Sequence, residues 1–262
     1  MKLNLALPGA QPRGCARVSG GIVAALVAFG LAACAKTPPA DGINDPFEPA
    51  NRAVHGFNRG LDTALVRPAS RVSGTVLPEP LRQGVSNVAA TLDMPVVIAN
   101  DLLQLRVMSA ATNVLRLGMN LTLGLGGFFD PATAAGMPPG DNDFGRTLAV
   151  WGIGEGPYLE LPLLGPSTLR DTVGIAVDTA FDPLRSVLSH GQANTALAVK
   201  AGARLNDRYK FTGTVDSILY ESADSYAQAR LLYLQHRRFQ IGEGETGAED
   251  GFIDPYEDLN EQ

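Results

Sequence analysis

Apolar residues spaced three and four apart recur along this chain from Asn44 onward, and sustained period-two alternation does not. The first spacing builds one face of an α-helix and the second a half-buried strand, so the pattern predicts an all-α fold. In "EPANRAVHGFNRGLDTAL", Ala50, Val54, Phe57 and Leu61 share a face, with Gly56 and Gly60 loosening the helix. Arg67-Pro68 marks its expected exit, because a residue before proline is pushed out of the α region. "LPEPLRQGVSNVAATLD" opens a second helix with Val85, Val88, Ala89 and Leu92 in line, and Pro95 is expected to break it. "RVMSAATNVLRLGMNLTLGLGG" is the clearest amphipathic helix. Val107, Ala110, Ala111, Val114, Leu117 and Leu121 lie on one side; Arg106, Ser109, Asn113, Arg116 and Asn120 lie on the other. Further helical stretches cover 172–206, interrupted at Asp182-Pro183, and the region from Val215 to Ile241. In the latter, Arg230, His236, Arg237 and Arg238 gather toward the C-terminal end, where cations suit the helix dipole.

One amphipathic helix taken alone ordinarily turns its apolar face to a core. Several of them in a chain with only 18% charged residues point elsewhere, since soluble domains carry roughly 25%. That accumulation favours a membrane interface as the apolar medium. The net charge of −6 is unevenly placed. Eight acids and no Lys or Arg fall between Gly242 and Gln262, which predicts a disordered acidic tail, and Lys2, Arg13 and Arg17 stand unopposed at the start. No basic field remains that would argue for nucleic acid.

Those N-terminal cations precede "GGIVAALVAFGLAAC", which is too short and too abruptly ended for a spanning helix and reads as a secretory signal. Its ending, Leu31-Ala32-Ala33-Cys34, resembles the bacterial lipobox, making Cys34 the expected lipid-attachment site. Ala35 after it, rather than Asp, favours sorting to the outer membrane. Cys15 leaves with the signal, so the mature chain keeps one Cys and forms no internal disulfide. The expected organisation is a signal peptide over 1–33, a lipidated tether over 34–43, a helical domain over 44–241 and the acidic tail over 242–262.

Catalytic signatures are missing. Ser167 in "GPSTL" lacks the glycines of a nucleophile elbow, and no Lys follows a Gly-rich turn in phosphate-loop register. Gly124 and Gly126 begin a dinucleotide-like spacing that ends on Phe129. His55, His190 and His236 show no metal-ligand spacing, so neither a metal nor a cofactor is expected. The most unusual segment is "WGIGEGPYLELPLLGPSTLRD", residues 151–171, where glycines and prolines interrupt an apolar run. Gly152 and Gly154 flank Ile153 as a flexing pair, with Pro157 stiffening the chain beyond. They are hinge or gate candidates, the alternative being static tight turns. Glu155 and Glu160 are expected to face water or a partner.

Two stretches carry a resemblance. "NDPFEPANRAVHGFNRGLD" resembles the opening of the MlaA (VacJ) outer-membrane lipoproteins, with Asp45-Pro46, Glu48, Asn51-Arg52, Phe57-Asn58 and Asp62 in pattern. Residues 144–171 resemble that family's most distinctive block through Gly152, Gly154, Gly156-Pro157-Tyr158 and Leu169-Arg170-Asp171, and "LRQGVSN" and "NLTLGLGGFFDPA" also match. Aromatic positions common along the family's C-terminal helices read Ala or Leu here, so contacts there do not carry over. The resemblance implies a ring-like, single-domain, all-helical lipoprotein lying in the periplasmic leaflet of the outer membrane. In such a protein a Gly/Pro-rich hairpin borders a central channel. The implied work is non-enzymatic: phospholipids mislocalised in the outer leaflet pass to a soluble periplasmic carrier (MlaC-like), with a trimeric porin as partner, and lipid asymmetry is maintained. A structural or adaptor lipoprotein, or a phospholipase acting on the same lipids, are the alternatives.

Overall fold

The computed structural model describes residues 43–242; Cys34, the signal, most of the tether and the acidic tail lie outside the described residues. Helix α1 (Glu48–Leu61) runs without interruption past Gly56 and Gly60, then through a π-helical turn (Asp62–Val66) into α2 (Arg67–Val76). The exit expected at Arg67-Pro68 is therefore corrected. Pro68 sits in the first turn of α2, and the π turn just before it absorbs the bond that its missing N–H leaves out and supplies an offset instead of a break. Leu77 turns extended before Pro78, and α3 (Glu79–Leu103) follows. The break expected at Pro95 is also absent, since α3 carries that proline inside its 25 residues. A mid-helix proline costs about 3 kcal/mol, and packing along the flanks of α3 against α4 (Val107–Thr122) and α9 (His190–Lys210) outweighs it.

Short α5 (Pro131–Ala134) and α6 (Phe144–Val150) lead to a two-stranded antiparallel hairpin, β1 (Tyr158–Leu161) and β2 (Gly165–Thr168), the one departure from all-α in the described residues. Tyr158 pairs with Thr168 and Leu161 with Gly165. Then come α7 (Leu169–Ala180), α8 (Leu184–Val187), α9, α10 (Thr212–Asp216), a second π turn (Ser217–Glu221) and α11 (Ser225–Ile241). Side-chain caps start several helices: Asp143 accepts from the Arg146 N–H, Thr168 from Asp171, Asp224 from Ala227, and Ser189 and Gln192 form a capping box.

Helix α9 runs antiparallel to α3, tied by Lys200 to Asp93 at 2.6 Å and by Asn206 to Ser86 at 2.9 Å. Helices α6 and α7 cross at two glycines. A Cβ on Gly174 would stand 2.4 Å from the Gly145 nitrogen, and one on Gly145 would strike the Asp171 carboxylate. No helix in the described residues is long and apolar enough to cross a membrane.

Candidate functional site: an apolar exterior over a charged interior

Burial in this fold runs against the usual sorting. The largest fully buried side chains are Tyr158, Asn100, Thr147, Thr168, Asp101, Ser70 and Ser167, while Leu, Val, Phe and Met residues crowd the surface. Helix α4 makes the inversion plain. Its buried residues are Ala110, Asn113, Arg116 and Asn120, and Val107, Met108, Val114, Leu115 and Leu121 are exposed. The ordinary core-facing orientation is thus overturned, because the carboxylates that α4 must hydrogen-bond stand on its inner side. Arg116 Nη2 donates to Asp130 at 3.0 Å, and Nη1 reaches the Met137 carbonyl. Asn120 donates to Asp130 at 3.0 Å, and Asn113 and Asn142 each donate to Asp101 at 2.7 Å. Burial pushes the Asp130 carboxyl up, but bonds from Thr133, Asn120 and Arg116 outweigh it and hold the group below its ordinary value.

The loops at both ends of α4 extend its apolar face. Leu105 before it and Leu125 after it, with Leu163 at the hairpin tip, are the non-glycine residues with φ in the left-handed region among the described residues. They are 85%, 73% and 72% exposed. Left-handed backbone costs an L-residue about 1–2 kcal/mol. Burying a leucine in an apolar medium returns about 1.5–3 kcal/mol, so each tip is balanced in hydrocarbon and doubly unfavourable in water.

A second polar assembly locks the hairpin to α1. Asn51 donates to the Tyr158 carbonyl at 3.1 Å and accepts from the Glu160 N–H at 3.0 Å. One helical face further on, Asn58 donates to the Leu161 carbonyl at 2.9 Å and accepts from the Leu163 N–H at 2.8 Å. Two amides thus imitate the neighbouring strand that β1 lacks. Between them lies His55, with Nδ1 3.3 Å from Glu160 and Nε2 3.1 Å from Ser225 Oγ. Glu160 also accepts from the Tyr158 hydroxyl, and Tyr158, Tyr226 and Leu234 form a small apolar core with Ile43 and Tyr233 beside it. Burial and the Glu160 bond push the Tyr158 phenol well above its usual range.

The MlaA lipoprotein family model matches residues 43–240. This chain belongs to the MlaA lipoprotein family. It is 34% identical over 211 residues to the Escherichia coli protein named intermembrane phospholipid transport system lipoprotein MlaA, covering 78% of this chain and 81% of that one. It is 30% identical over 230 residues to the Haemophilus influenzae protein of the same name, covering 85% and 90%. A Rickettsia bellii protein described as uncharacterized is 34% identical over 200 residues, covering 76% and 77%. A solved structure described as the structural basis for maintenance of bacterial outer membrane lipid asymmetry superposes with a TM-score of 0.64 at 30% identity. It covers 75% of this chain and 98% of that one.

Of the MlaA-family motif residues, Asp45, Asn51, Asn58 and Tyr158 meet at the hairpin lock and the others lie around it or on the surface. Asp45 accepts from Asn51 at 2.9 Å, from Tyr226 and from Arg230. Arg52 bridges Glu48 at 2.7 Å and Asp224 at 2.8 Å on the surface, and Pro46 lies in the exposed turn before α1. Phe57 points outward. Pro157 accepts from the Leu169 N–H at 2.9 Å, and Gly156 takes φ +70° beside Leu169. Arg170 Nη1 reaches the Ile153 carbonyl at 3.2 Å, and Asp171 gathers Thr168, Tyr233 and Arg237. Gly152, at φ +83°, is the left-handed residue closing α6: its N–H bonds Ala149 at 2.8 Å and the Ile153 N–H bonds Leu148 at 2.9 Å. Gly154 keeps φ outside the left-handed region and has open space around it.

Two expectations are corrected here. Glu160 is buried rather than facing water, because His55, Asn58 and Tyr158 supply its partners. Glu155 is bound by Arg238 at 2.6 Å. The C-terminal cations answer carboxylates rather than the helix dipole alone: Arg230 meets Asp45, and Arg237 meets Asp143 and Asp171. Sequence reasoning missed His55, Glu160, Asp101 and the buried Arg208–Asp62 pair at 2.9 Å. The available signal was the spacing of Asn51, His55 and Asn58, which puts three polar side chains on one helical face.

Proposed function

We propose that this chain transfers phospholipid between membranes. The names of its relatives, intermembrane phospholipid transport system lipoproteins, support the transport; in our reading the cargo is phospholipid mislocalised in the outer leaflet of the outer membrane, and its removal maintains lipid asymmetry. The observation that carries the reading is the inversion at α4. A helix that turns its one charge and its asparagines inward and its leucines outward is built for a hydrocarbon surround. In this reading the domain over 44–241 forms a ring in the periplasmic leaflet, anchored through an acylated Cys34 on the 34–43 tether after removal of residues 1–33. The acidic tail over 242–262 stays free in the periplasm. Lipid passes through the centre to a soluble periplasmic carrier, and a trimeric porin holds the ring. Gly154, with open space beside it, flexes as the gate, and Gly152 fixes the end of α6 next to it.

Transfer here needs no catalysis. Ser225, His55 and Glu160 stand in nucleophile–base–acid order, which is the one observation favouring a phospholipase. At the start of α11, however, the Ala227 N–H is taken by the Asp224 carboxylate and the Gln228 N–H by the Asp224 carbonyl, so neither is free to serve as an oxyanion donor. The test is the outer-leaflet lipid of a deletion strain complemented with wild type or Ser225→Ala. Transfer predicts that intact phospholipid accumulates on deletion and is cleared by both. Lysolipid release by wild type but not by the variant means hydrolysis. Unchanged lipid distribution means a scaffold.

A further inference from the structure

The apolar exterior is entered near the end of α3 by a cleft of about 340 Å3, within the size range of small-molecule sites. Its walls are Val96, Ala99 and Leu103 of α3 on one side, and Phe144, Val177 and Phe181 on the other. Leu103 and Phe181 in its wall are also exposed, and exposed Leu102 and Leu105 flank Leu103 in the chain. The cleft therefore opens onto exposed apolar side chains.

Its polar residues are Asn100 and Asp178, and they are spent on the protein itself. Asn100 donates to Asp178 at 2.9 Å and to the Val96 carbonyl at 3.1 Å, and it accepts from Thr147 Oγ1 at 2.8 Å. The second Asp178 oxygen accepts from the Phe144 N–H at 2.9 Å. Burial pushes the Asp178 carboxyl above its ordinary value, as a dry floor should. A peptide segment entering here would surrender backbone hydrogen bonds with nothing to replace them. An alkyl chain surrenders none. The same hydrogen bonds close the seam beneath the cleft between α3 and the α6–α7 pair, so the apolar space widens the seam without leaving a polar group unpaired.

We propose that this cleft is a subsite for one acyl chain of a glycerophospholipid, admitted sideways from the surrounding hydrocarbon. The proposal rests on the lipid-transfer reading and adds to it where a chain is held. The probe is phosphatidylglycerol carrying a diazirine near one acyl terminus, mixed into phosphatidylethanolamine vesicles holding the full lipoprotein. After photolysis, labelled peptides are mapped. Label is expected on residues 96–103 and 177–183. It should fall about tenfold or more in Ala99→Trp and Val177→Trp, the loss expected when a few methylenes lose their burial. It should persist in Val173→Trp, which alters an exposed position on the same helix α7. Label confined to Leu115 and the rest of the outer face, unchanged in both cleft variants, would overturn the proposal. If Ala99→Trp reduces folded protein, the wild-type map and Val177→Trp decide alone. Lipid asymmetry restored by wild type and equally by the folded cleft variants, with unchanged labelling, would remove the subsite and leave the transfer reading intact. Failure of wild type to restore asymmetry would remove the transfer reading itself.

Discussion

Helix α4 and the β1–β2 hairpin both bury polar groups, yet they do so to different ends. Under α4, Arg116 neutralises Asp130, and Asn113, Asn120 and Asn142 hydrogen-bond Asp130 or Asp101 and pin them so that the opposite face stays apolar. Around the hairpin, Asn51 and Asn58 satisfy backbone groups of an isolated strand pair, and tyrosines fill the space between. The first arrangement decides what the outside of the molecule is. The second decides where a short, otherwise marginal hairpin can stand. The contrast teaches that a polar interior here is two devices, and each has its own failure mode.

The largest expected effect comes from breaking the α4 device. Arg116→Ala leaves Asp130 with the neutral donors Thr133 and Asn120 and takes a donor from the Met137 carbonyl, and breaking a pair buried on its arginine side costs up to about 3–5 kcal/mol. Denaturant unfolding in detergent micelles measures it; a loss below about 1 kcal/mol, the range of exposed pairs, would show that Arg116 is solvated. Next comes Asn58→Ala, which orphans the half-buried Leu161 carbonyl and releases the exposed Leu163 N–H, at about 1–3 kcal/mol. It should expose the hairpin to proteolysis while α4 keeps its protection. Simultaneous loss of protection at α4 would mean that the two devices are one.

Gly152→Val sharpens the comparison at the entrance to the hairpin. A valine forced to φ > 0 at the end of α6 costs about 1–2 kcal/mol. Melting temperature should fall with Gly152→Val and hold with Gly154→Val, so a lipid-asymmetry defect in the latter at normal protein level marks a gate. If function follows abundance in both variants, the glycines are turn formers and the gate lies elsewhere.

Acid separates the devices more gently. Burial raises the Asp171 carboxyl, but Arg237 and Tyr233 outweigh it and leave its pKa lowered. A depressed folded pKa gives stability that is present above the unfolded value, about 4, and lost as pH falls through the folded value. Asp171→Asn should flatten the acid limb of stability below about pH 4. An unchanged limb would assign acid sensitivity to other carboxylates, such as Asp224, held at about 2 first by its bonds from Arg52.

Much of this was legible in the sequence, and the limits have physical causes. Periodicity placed α4, and the polar stripe Asn113, Arg116, Asn120 was visible, but periodicity does not tell which face turns inward. That choice depended on Asp101 and Asp130 arriving from neighbouring segments, which are distant in pattern though not in space. Pro95 misled because local rules ignore what α4 and α9 contribute along α3. The hairpin lock was half visible: Asn51, Asn58 and Tyr158 stood out through the family resemblance. The pairing of His55 with Glu160 joins positions more than a hundred residues apart, and no spacing announces it.

The central claim is that the outer face of α4 meets hydrocarbon. A nitroxide placed at position 115 of the lipoprotein in phosphatidylethanolamine–phosphatidylglycerol vesicles tests it most directly, by comparing relaxation from oxygen, which concentrates in the bilayer, with that from a water-soluble nickel chelate. The account predicts strong oxygen and weak nickel relaxation at 115, with the reverse at the exposed polar surface around position 207 on α9. Strong nickel relaxation at 115 in folded, vesicle-bound protein would contradict it.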